Sequence, residues 1–332
     1  MTFYRETFPL FDTLYIGGGT PSLLSLHQLE SLLRHIRECF SLTKEAEITL
    51  EMNPADGDRA FFAALPSLGI NRLNLGIQSF QDRFLSFLGR RHDACQAREA
   101  IEYAHSAGFH RLGLDLIYAI PGQSMEMWLS DLQEAVAMPA DHLSCYQLTV
   151  DATTPLGIRL AAKEFSLPPA DEEADFFLKT SFFLADRGYQ HYEISNFAKN
   201  DEAMSRHNVK YWDHTPYLGL GPGAHSFDGK IRWSNPSSLQ TYQEEISNHT
   251  CPAVNHEQLT AEQLRLEKLF LGFRTKRGID IGSFNEALHT DILAEKREIL
   301  SRLEKEGLLV IEDGFIRPTL SGMALADQLA LI

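Results

Sequence analysis

The stretch Thr13-Leu14-Tyr15-Ile16-Gly17-Gly18-Gly19-Thr20-Pro21 decides how the chain is read. A short apolar run enters a glycine knot, which places bare backbone N–H groups at the mouth of a strand. Glycine has no Cβ, so positive φ and close approach of a ligand are both permitted there. A helix directly after the knot would aim its first amides at the same point, a natural seat for an anionic group. A tight βα turn explains the same residues without a ligand, and a phosphate cradle explains them with one.

Working outward, strand-like runs alternate with helix-like ones. Strands are predicted near residues 13–16, 47–50, 72–77, 111–117 and 142–150. Amphipathic segments near 26–39, 59–65, 94–107 and 125–136 have apolar residues at helical spacing, and Gly69 and Gly108 stand as C-terminal stops. This is an α/β run of βα units, an open doubly wound sheet or a barrel, and in both the ligand gathers at the carboxyl ends of the strands. A further helix near 171–187 leads to a strand at 190–194, followed by an irregular, aromatic and glycine-rich stretch from 196 to 233. A boundary is expected at 248–256. Beyond it, helices at 261–274, 281–287 and 293–305, a hairpin of 308–311 with 315–317 around Asp313-Gly314, and a last helix capped by Ser321 spell a winged-helix-like module.

The bulk composition narrows the function. A net charge of −15 argues against a general nucleic-acid coat, which needs cations to displace phosphate counterions. The module itself carries 10 Lys or Arg against 13 Asp or Glu over residues 257–332, a net of −3, so it is expected to pack or to dock a partner. Arg5, Glu6 and Asp12 interrupt the first twenty residues, and no run of about eighteen apolar residues occurs, so a cytoplasmic protein without a membrane span is expected. Cys39, Cys95, Cys145 and Cys251 are widely separated and read as buried small hydrophobes.

The strand ends carry the chemistry. In order they present Gly18, Gly19 and Thr20, then Glu51, then Gln78, then Asp115, with Arg90 in the turn after the third strand able to fork onto a carboxylate. A glycine edge, two carboxylates, an amide and a guanidinium suit a ligand with an amino-acid head and ribose hydroxyls. Further on, His207, Tyr211 and Trp212 stand at i, i+4 and i+5, so one helical turn is expected to set an imidazole beside two aromatic faces, an arrangement that suits a porphyrin and that core packing explains as well. The run Gly219 to Gly223 ending at His225 offers a second His-bearing loop.

Gly-Gly-Gly-Thr-Pro-Ser, Glu-Met-Asn-Pro, Gly-Ile-Gln-Ser-Phe, Gly-Arg-Arg-His and Leu-Asp-Leu-Ile-Tyr-Ala-Ile-Pro-Gly, in this order and spacing, resemble the radical S-adenosylmethionine (SAM) proteins related to oxygen-independent coproporphyrinogen III oxidase. Residues 207–212, His-Asn-Val-Lys-Tyr-Trp, match the His-Asn-x-x-Tyr-Trp pattern of the HemW-type haem chaperones within that group. The resemblance implies a partial (β/α)6 radical SAM barrel over 1–195, a haem-motif connecting region over 196–250 and a helical C-terminal domain over 251–332. It implies SAM contacts at Gly18, Gly19, Thr20, Glu51, Gln78, Arg90 and Asp115, haem contacts at His207, Tyr211 and Trp212 with His207 as iron ligand, and delivery of haem to a respiratory apoprotein.

The alternative within the group is an oxidase-like enzyme of porphyrin biosynthesis. That reading depends on a [4Fe–4S] cluster held by a Cys-x-x-x-Cys-x-x-Cys triad, which is not in this sequence. The chain is expected to begin at about the second family strand, its first βα unit and cysteine loop either encoded upstream or lost together with the radical chemistry while ligand binding was kept, and to be less stable than a form that includes them.

Overall fold

The computed structural model describes all residues, 1–332. Strands β1 (Leu10–Ile16), β2 (Ser41–Met52), β3 (Arg72–Gln78), β4 (Leu112–Tyr118), β5 (His142–Gln147), β6 (Gln190–Glu193) and β7 (Asn196–Ala198) form one sheet in the order β1-β2-β3-β4-β5-β7-β6. Helices α1 (Leu26–Cys39), α2 (Arg59–Ala64), α3 (Asp82–Phe87), α4 (Ala94–Ser106), α5 (Met125–Ala137), α6 (Pro155–Ala161) and α7 (Ala170–Ala185) fall in the crossovers. The pairs β2–β3, β3–β4 and β4–β5 are parallel, giving the expected partial βα barrel. Leu50, Leu73, Leu75, Leu114, Leu116 and Leu143 are fully buried, as strands covered by helices require.

Alternate residues of the same strands are polar. Thr49 pairs with Arg72, Glu51 with Asn74, Asn74 with Gly113 and Asp115 with Ser144. Side chains two apart share a face, so these strands line one face of the sheet with polar groups at successive levels.

The sheet does not end in a further parallel unit. β6 and β7 are joined by Ile194 and Ser195 alone, and β7 runs antiparallel to both β5 and β6. So short a link permits a hairpin and not a crossover. Glu193 is buried in this hairpin, where it accepts from the Ser195 N–H at 3.2 Å and from the Asn196 amide. Burial pushes its pKa up from 4.5 to about 7, while those two donors pull the other way. Between pH 4.5 and about 7 the unfolded chain has released this proton and the folded chain still holds it, so stability falls as pH rises through that window. Glu193→Gln is expected to stabilise the protein by about 3 kcal/mol at pH 8 and by little at pH 4.5. Thermal unfolding at the two pH values checks this, and a difference that does not change with pH rules it out.

The glycine knot is not followed directly by a helix. Pro21–Leu23 makes a single 3-10 turn, and α1 begins only at Leu26. Its start is capped by Ser25, whose hydroxyl takes the Gln28 N–H at 3.3 Å while Gln28 Oε1 accepts from the Ser25 N–H at 2.9 Å. The first amides of α1 are thereby engaged locally.

The chain divides into two compact units, Met1–Leu14 with Ser31–Ala46 and Ser205–Ile332, and Tyr15–Glu30 with Glu47–Met204. In the first, α8 (Arg206–Trp212), β8 (His225–Phe227), β9 (Ile231–Ser234), α9 (Leu239–Ser247) and β10 (Val254–Gln258) occupy most of what sequence left as irregular or as a boundary. β8, β9 and β10 form an antiparallel sheet. Then follow α10 (Ala261–Gly272), β11 (Ile279–Asp280), α11 (Ile281–Leu288), α12 (Ile292–Glu295), α13 (Arg297–Lys305), β12 (Leu309–Glu312), β13 (Phe315–Pro318), α14 (Leu320–Met323) and α15 (Ala326–Leu329).

The expected hairpin turns at Asp313 and Gly314, with φ of 49° and 79°, the pair of positive values a two-residue turn demands. Phe273, Ile292, Leu300 and Ile316 are its fully buried core. Two expectations are corrected. The helix predicted over 293–305 is broken at Lys296, where φ is −112° and ψ 18°. The last segment is capped by Thr319, whose hydroxyl accepts from the Gly322 N–H at 3.1 Å, and not by Ser321. Of the cysteines only Cys145 is buried; Cys95 is exposed, and Cys39 and Cys251 are half-buried. No helix is long and apolar enough to cross a membrane.

Candidate functional site

The strand ends converge. Tyr15 donates its hydroxyl to Glu51 Oε1 at 2.7 Å and accepts from Asn74 Nδ2 at 3.3 Å. At Gly17 a Cβ would lie 2.7 Å from the Tyr15 ring and 2.8 Å from the Glu51 carboxyl, so a side chain there would push one or both of them aside. Gly76, two strands on in β3, leaves similar room, and a Cβ there would stand 2.9 Å from Gln78 Nε2 and 3.0 Å from Arg90 Nη2. Both side chains therefore meet over the bare backbone of Gly76, whose carbonyl accepts from Arg90 at 3.3 Å.

Gln78 reaches this position through unusual backbone. The β3–β4 register slips between Leu75 and Gln78, and Gln78 takes φ +69°, a left-handed value that costs a side-chain-bearing residue energy. Such strain turns a strand-end side chain toward a site.

Asp115 sits among these groups on β4, and its Oδ1 is shut off from solvent with no hydrogen-bond partner. Burial raises its pKa from 3.8 to about 6, and Glu51 adds to the rise. The nearby Ser144 hydroxyl, itself unbonded, and the cations Arg72 and Arg90 temper it. Arg90 has a buried Nε without a partner. Burial and Arg91 weaken its hold on its proton, and Asp115 opposes them. Tyr15 is pushed up by burial, then by the charges of Glu51 and Asp115.

Glu51, Gln78, Arg90 and Asp115 thus share one place. Gly18 and Gly19 are exposed, with open space where each Cβ would be, which leaves their backbone accessible. Thr20 is exposed, and its carbonyl accepts from the Leu23 N–H at 3.1 Å. Sequence reasoning missed Tyr15, Asn74 and Ser144. The signal was present in the alternation of Thr49 with Glu51, of Arg72 with Asn74 and of His142 with Ser144, obscured by the apolar residues between them.

The residues present fit a zwitterionic, ribose-bearing ligand on their own chemistry. Asp115 and Arg90 each present an unsatisfied buried polar atom, one of each sign, and the glycines present accessible backbone. They do not fit an iron–sulfur cluster, since no group of three His, Cys, Asp or Glu side chains is placed to hold a metal. Nothing in the function proposed below runs through a cluster.

In the other unit, Ser205 caps α8 by accepting from the Asn208 N–H at 3.3 Å. Asp12 on β1 grips the helix through Arg206 at 3.1 Å and Lys210 at 3.0 Å. His207 Nδ1 lies 3.0 Å from Thr13 Oγ1 and its Nε2 3.1 Å from the Tyr211 hydroxyl. Burial, helped by Lys210 and opposed by Asp12, lowers the His207 pKa to about 4, so the ring is neutral at physiological pH.

The expected pair of aromatic faces is not formed. Tyr211 meets the imidazole edge-on, with ring centroids 5.2 Å apart at 86°, and the next ring outward is Tyr217, 4.8 Å from Tyr211. Trp212 stands one residue further, about 140° around the helix from His207, so it faces elsewhere. Its Nε1 is buried without a partner. Gly219 to His225 is a braced loop, with the Gly219 N–H on Ser226 Oγ at 2.9 Å and the Gly221 N–H on the Tyr242 hydroxyl at 3.2 Å.

Comparison with known proteins agrees with this architecture. Residues 5–135 match the Radical SAM superfamily and residues 259–325 the HemN C-terminal domain. The heme chaperone HemW of Lactococcus lactis is 34% identical over 328 residues, covering 97% of this chain and 86% of that protein. That of Bacillus subtilis is 30% identical over 321 residues, covering 96% and 84%. The radical S-adenosyl methionine domain-containing protein 1 of mouse mitochondria is 32% identical over 332 residues, covering 96% and 75%. In fold, the chain is similar to the coproporphyrinogen III oxidase HemN of Escherichia coli, with a TM-score of 0.82 at 24% identity over 97% of this chain and 77% of that one. With these identities running nearly end to end, the chain belongs to the HemW family of the radical SAM superfamily.

Proposed function

We propose that this protein is a haem chaperone that binds haem through His207 and passes it to a haem-accepting apoprotein, with a SAM site in its barrel. The observation that carries the reading is His207, a neutral imidazole on the short helix α8 with one ring nitrogen anchored on β1. Neutral imidazole is a standard axial ligand for haem iron, and an anchored second nitrogen is what orients such a ligand. The naming of the Lactococcus and Bacillus relatives as heme chaperones supports it.

In the barrel, Asp115 is the natural partner for the ammonium of SAM and Arg90 for its carboxylate. Glu51, held by Tyr15, suits a ribose hydroxyl, and Gln78 with the Gly18 and Gly19 backbone completes the enclosure. SAM, when bound, supplies a sulfonium centre. The residues of this chain position and charge-match it, and no general acid or base is needed for that role.

Haem titration of the wild type and of His207→Ala, followed by the Soret band, tests the proposal. Loss of the axial ligand is expected to weaken binding about 10- to 100-fold and to move the band. Identical spectra and affinities would exclude His207 as the ligand.

A further inference from the structure

His207 is engaged at both ring nitrogens by hydroxyl groups. Thr13 Oγ1 is 3.0 Å from Nδ1 and the Tyr211 hydroxyl is 3.1 Å from Nε2. A neutral imidazole has one N–H and one lone pair, so it donates in one of these contacts and accepts in the other. A phenol is more acidic than an alkyl hydroxyl and is the better donor. The favoured arrangement is therefore Nδ1–H donating to Thr13 and Nε2 accepting from Tyr211.

The surroundings separate the two partners. Thr13 is buried on β1, and Asp12 beside it grips Arg206 and Lys210 on either side of His207 along the helix, so the anchor does not shift easily. Tyr211 is 39% exposed and meets the imidazole only by its edge, with Tyr217 4.8 Å away on its other side, so of the two partners it is the one nearer solvent and freer to leave the ring.

We propose that Thr13 and Tyr211 set and cap the haem-binding imidazole: Thr13 fixes the tautomer that keeps the lone pair on Nε2, and the Tyr211 hydroxyl covers that lone pair until haem iron displaces it. The inference rests on the reading of His207 as the ligand. On displacement the Nε2 lone pair leaves the Tyr211 O–H and forms the bond to iron, and the phenol keeps its proton and turns to solvent. No electron is transferred, and no proton moves between residues. Thr13 is a positioning residue, and Tyr211 competes with the iron for one lone pair.

Two measurements on the full chain test this. In the haem-free protein labelled with 15N-histidine, the ring nitrogen shifts report the His207 tautomer. The Nδ1–H form is expected in the wild type and in Thr13→Ser, with loss of that preference in Thr13→Val. An Nε2–H form in the wild type overturns the assignment. In haem titration, Tyr211→Phe keeps the ring and removes the cap, so it is expected to bind haem about fivefold more tightly with the Soret maximum unchanged. Unchanged or weaker binding overturns the cap. Failure of the underlying reading has a separate mark, a His207→Ala variant with undiminished haem affinity, while the tautomer measurement stands whether or not haem binds.

Discussion

Arg72→Leu is expected to destabilise the protein by about 4 kcal/mol, more than any other single change discussed here. The guanidinium is fully buried at the start of β3, donating to the carbonyls of Ala203 at 2.9 Å and Met204 at 3.4 Å. Its ion pair with Glu47, also fully buried, is long at 3.8 Å, so most of its direct bonding is to backbone. Removing it strips two carbonyls of a charged donor and leaves the Glu47 carboxylate buried without its cation. It also removes a cation that tempers the rise in the Asp115 pKa. Because Arg72 and Glu47 are both fully buried, taking away one of the pair is expected to cost more than taking away both, so Arg72→Leu combined with Glu47→Leu is expected to be less damaging than Arg72→Leu alone. Chemical denaturation of the two variants gives the comparison. A single variant within 1 kcal/mol of wild type, or a double variant worse than the single, would refute the account.

Asp115→Asn is expected to act in opposite directions on stability and on binding. The folded pKa of Asp115 is about 6 against an ordinary 3.8, so the unfolded chain gives up the proton first as pH rises. Stability contributed by this group falls between pH 3.8 and about 6, and the full penalty is present above that. Asparagine removes the penalty. Because the residue is partly open while Oδ1 is not, the gain at pH 8 is on the order of 2 kcal/mol, smaller than the full shift implies, and it vanishes near pH 4.

The same substitution deletes the charge that a ligand ammonium would meet, so SAM affinity measured by calorimetry is expected to fall about 100-fold. The gain in stability follows from burial, as it does for Glu193, and the loss of affinity is what marks Asp115 as part of a binding site. Asp115→Asn with unaltered SAM affinity, or with lower stability at pH 8, would remove Asp115 from the site.

How much of this was legible beforehand follows from the range of the forces involved. The Asp313-Gly314 turn was readable because two adjacent residues with positive φ are a local requirement. Helix α1 was readable to its last residue, since its apolar face repeats at helical spacing. The antiparallel ending of the sheet was not, because Gln190–Glu193 and Asn196–Ala198 look the same to a local reading whichever way their neighbour runs. Likewise, i and i+4 spacing announced the His207–Tyr211 contact, while counting Trp212 into the same wall overlooked how far one further residue turns around a helix.

The order of motifs along the chain determined by itself the run of βα units, the family they resemble and the strand ends where a ligand belongs, since glycine spacing and hydrophobic period are properties of a linear chain. Only the tertiary structure decided which groups meet. Tyr15 holding Glu51, Gln78 and Arg90 meeting over Gly76, and Thr13 anchoring a histidine 194 positions away all depend on parallel register and helix placement. Those are settled by burial of the whole core, and no local stretch of residues encodes them.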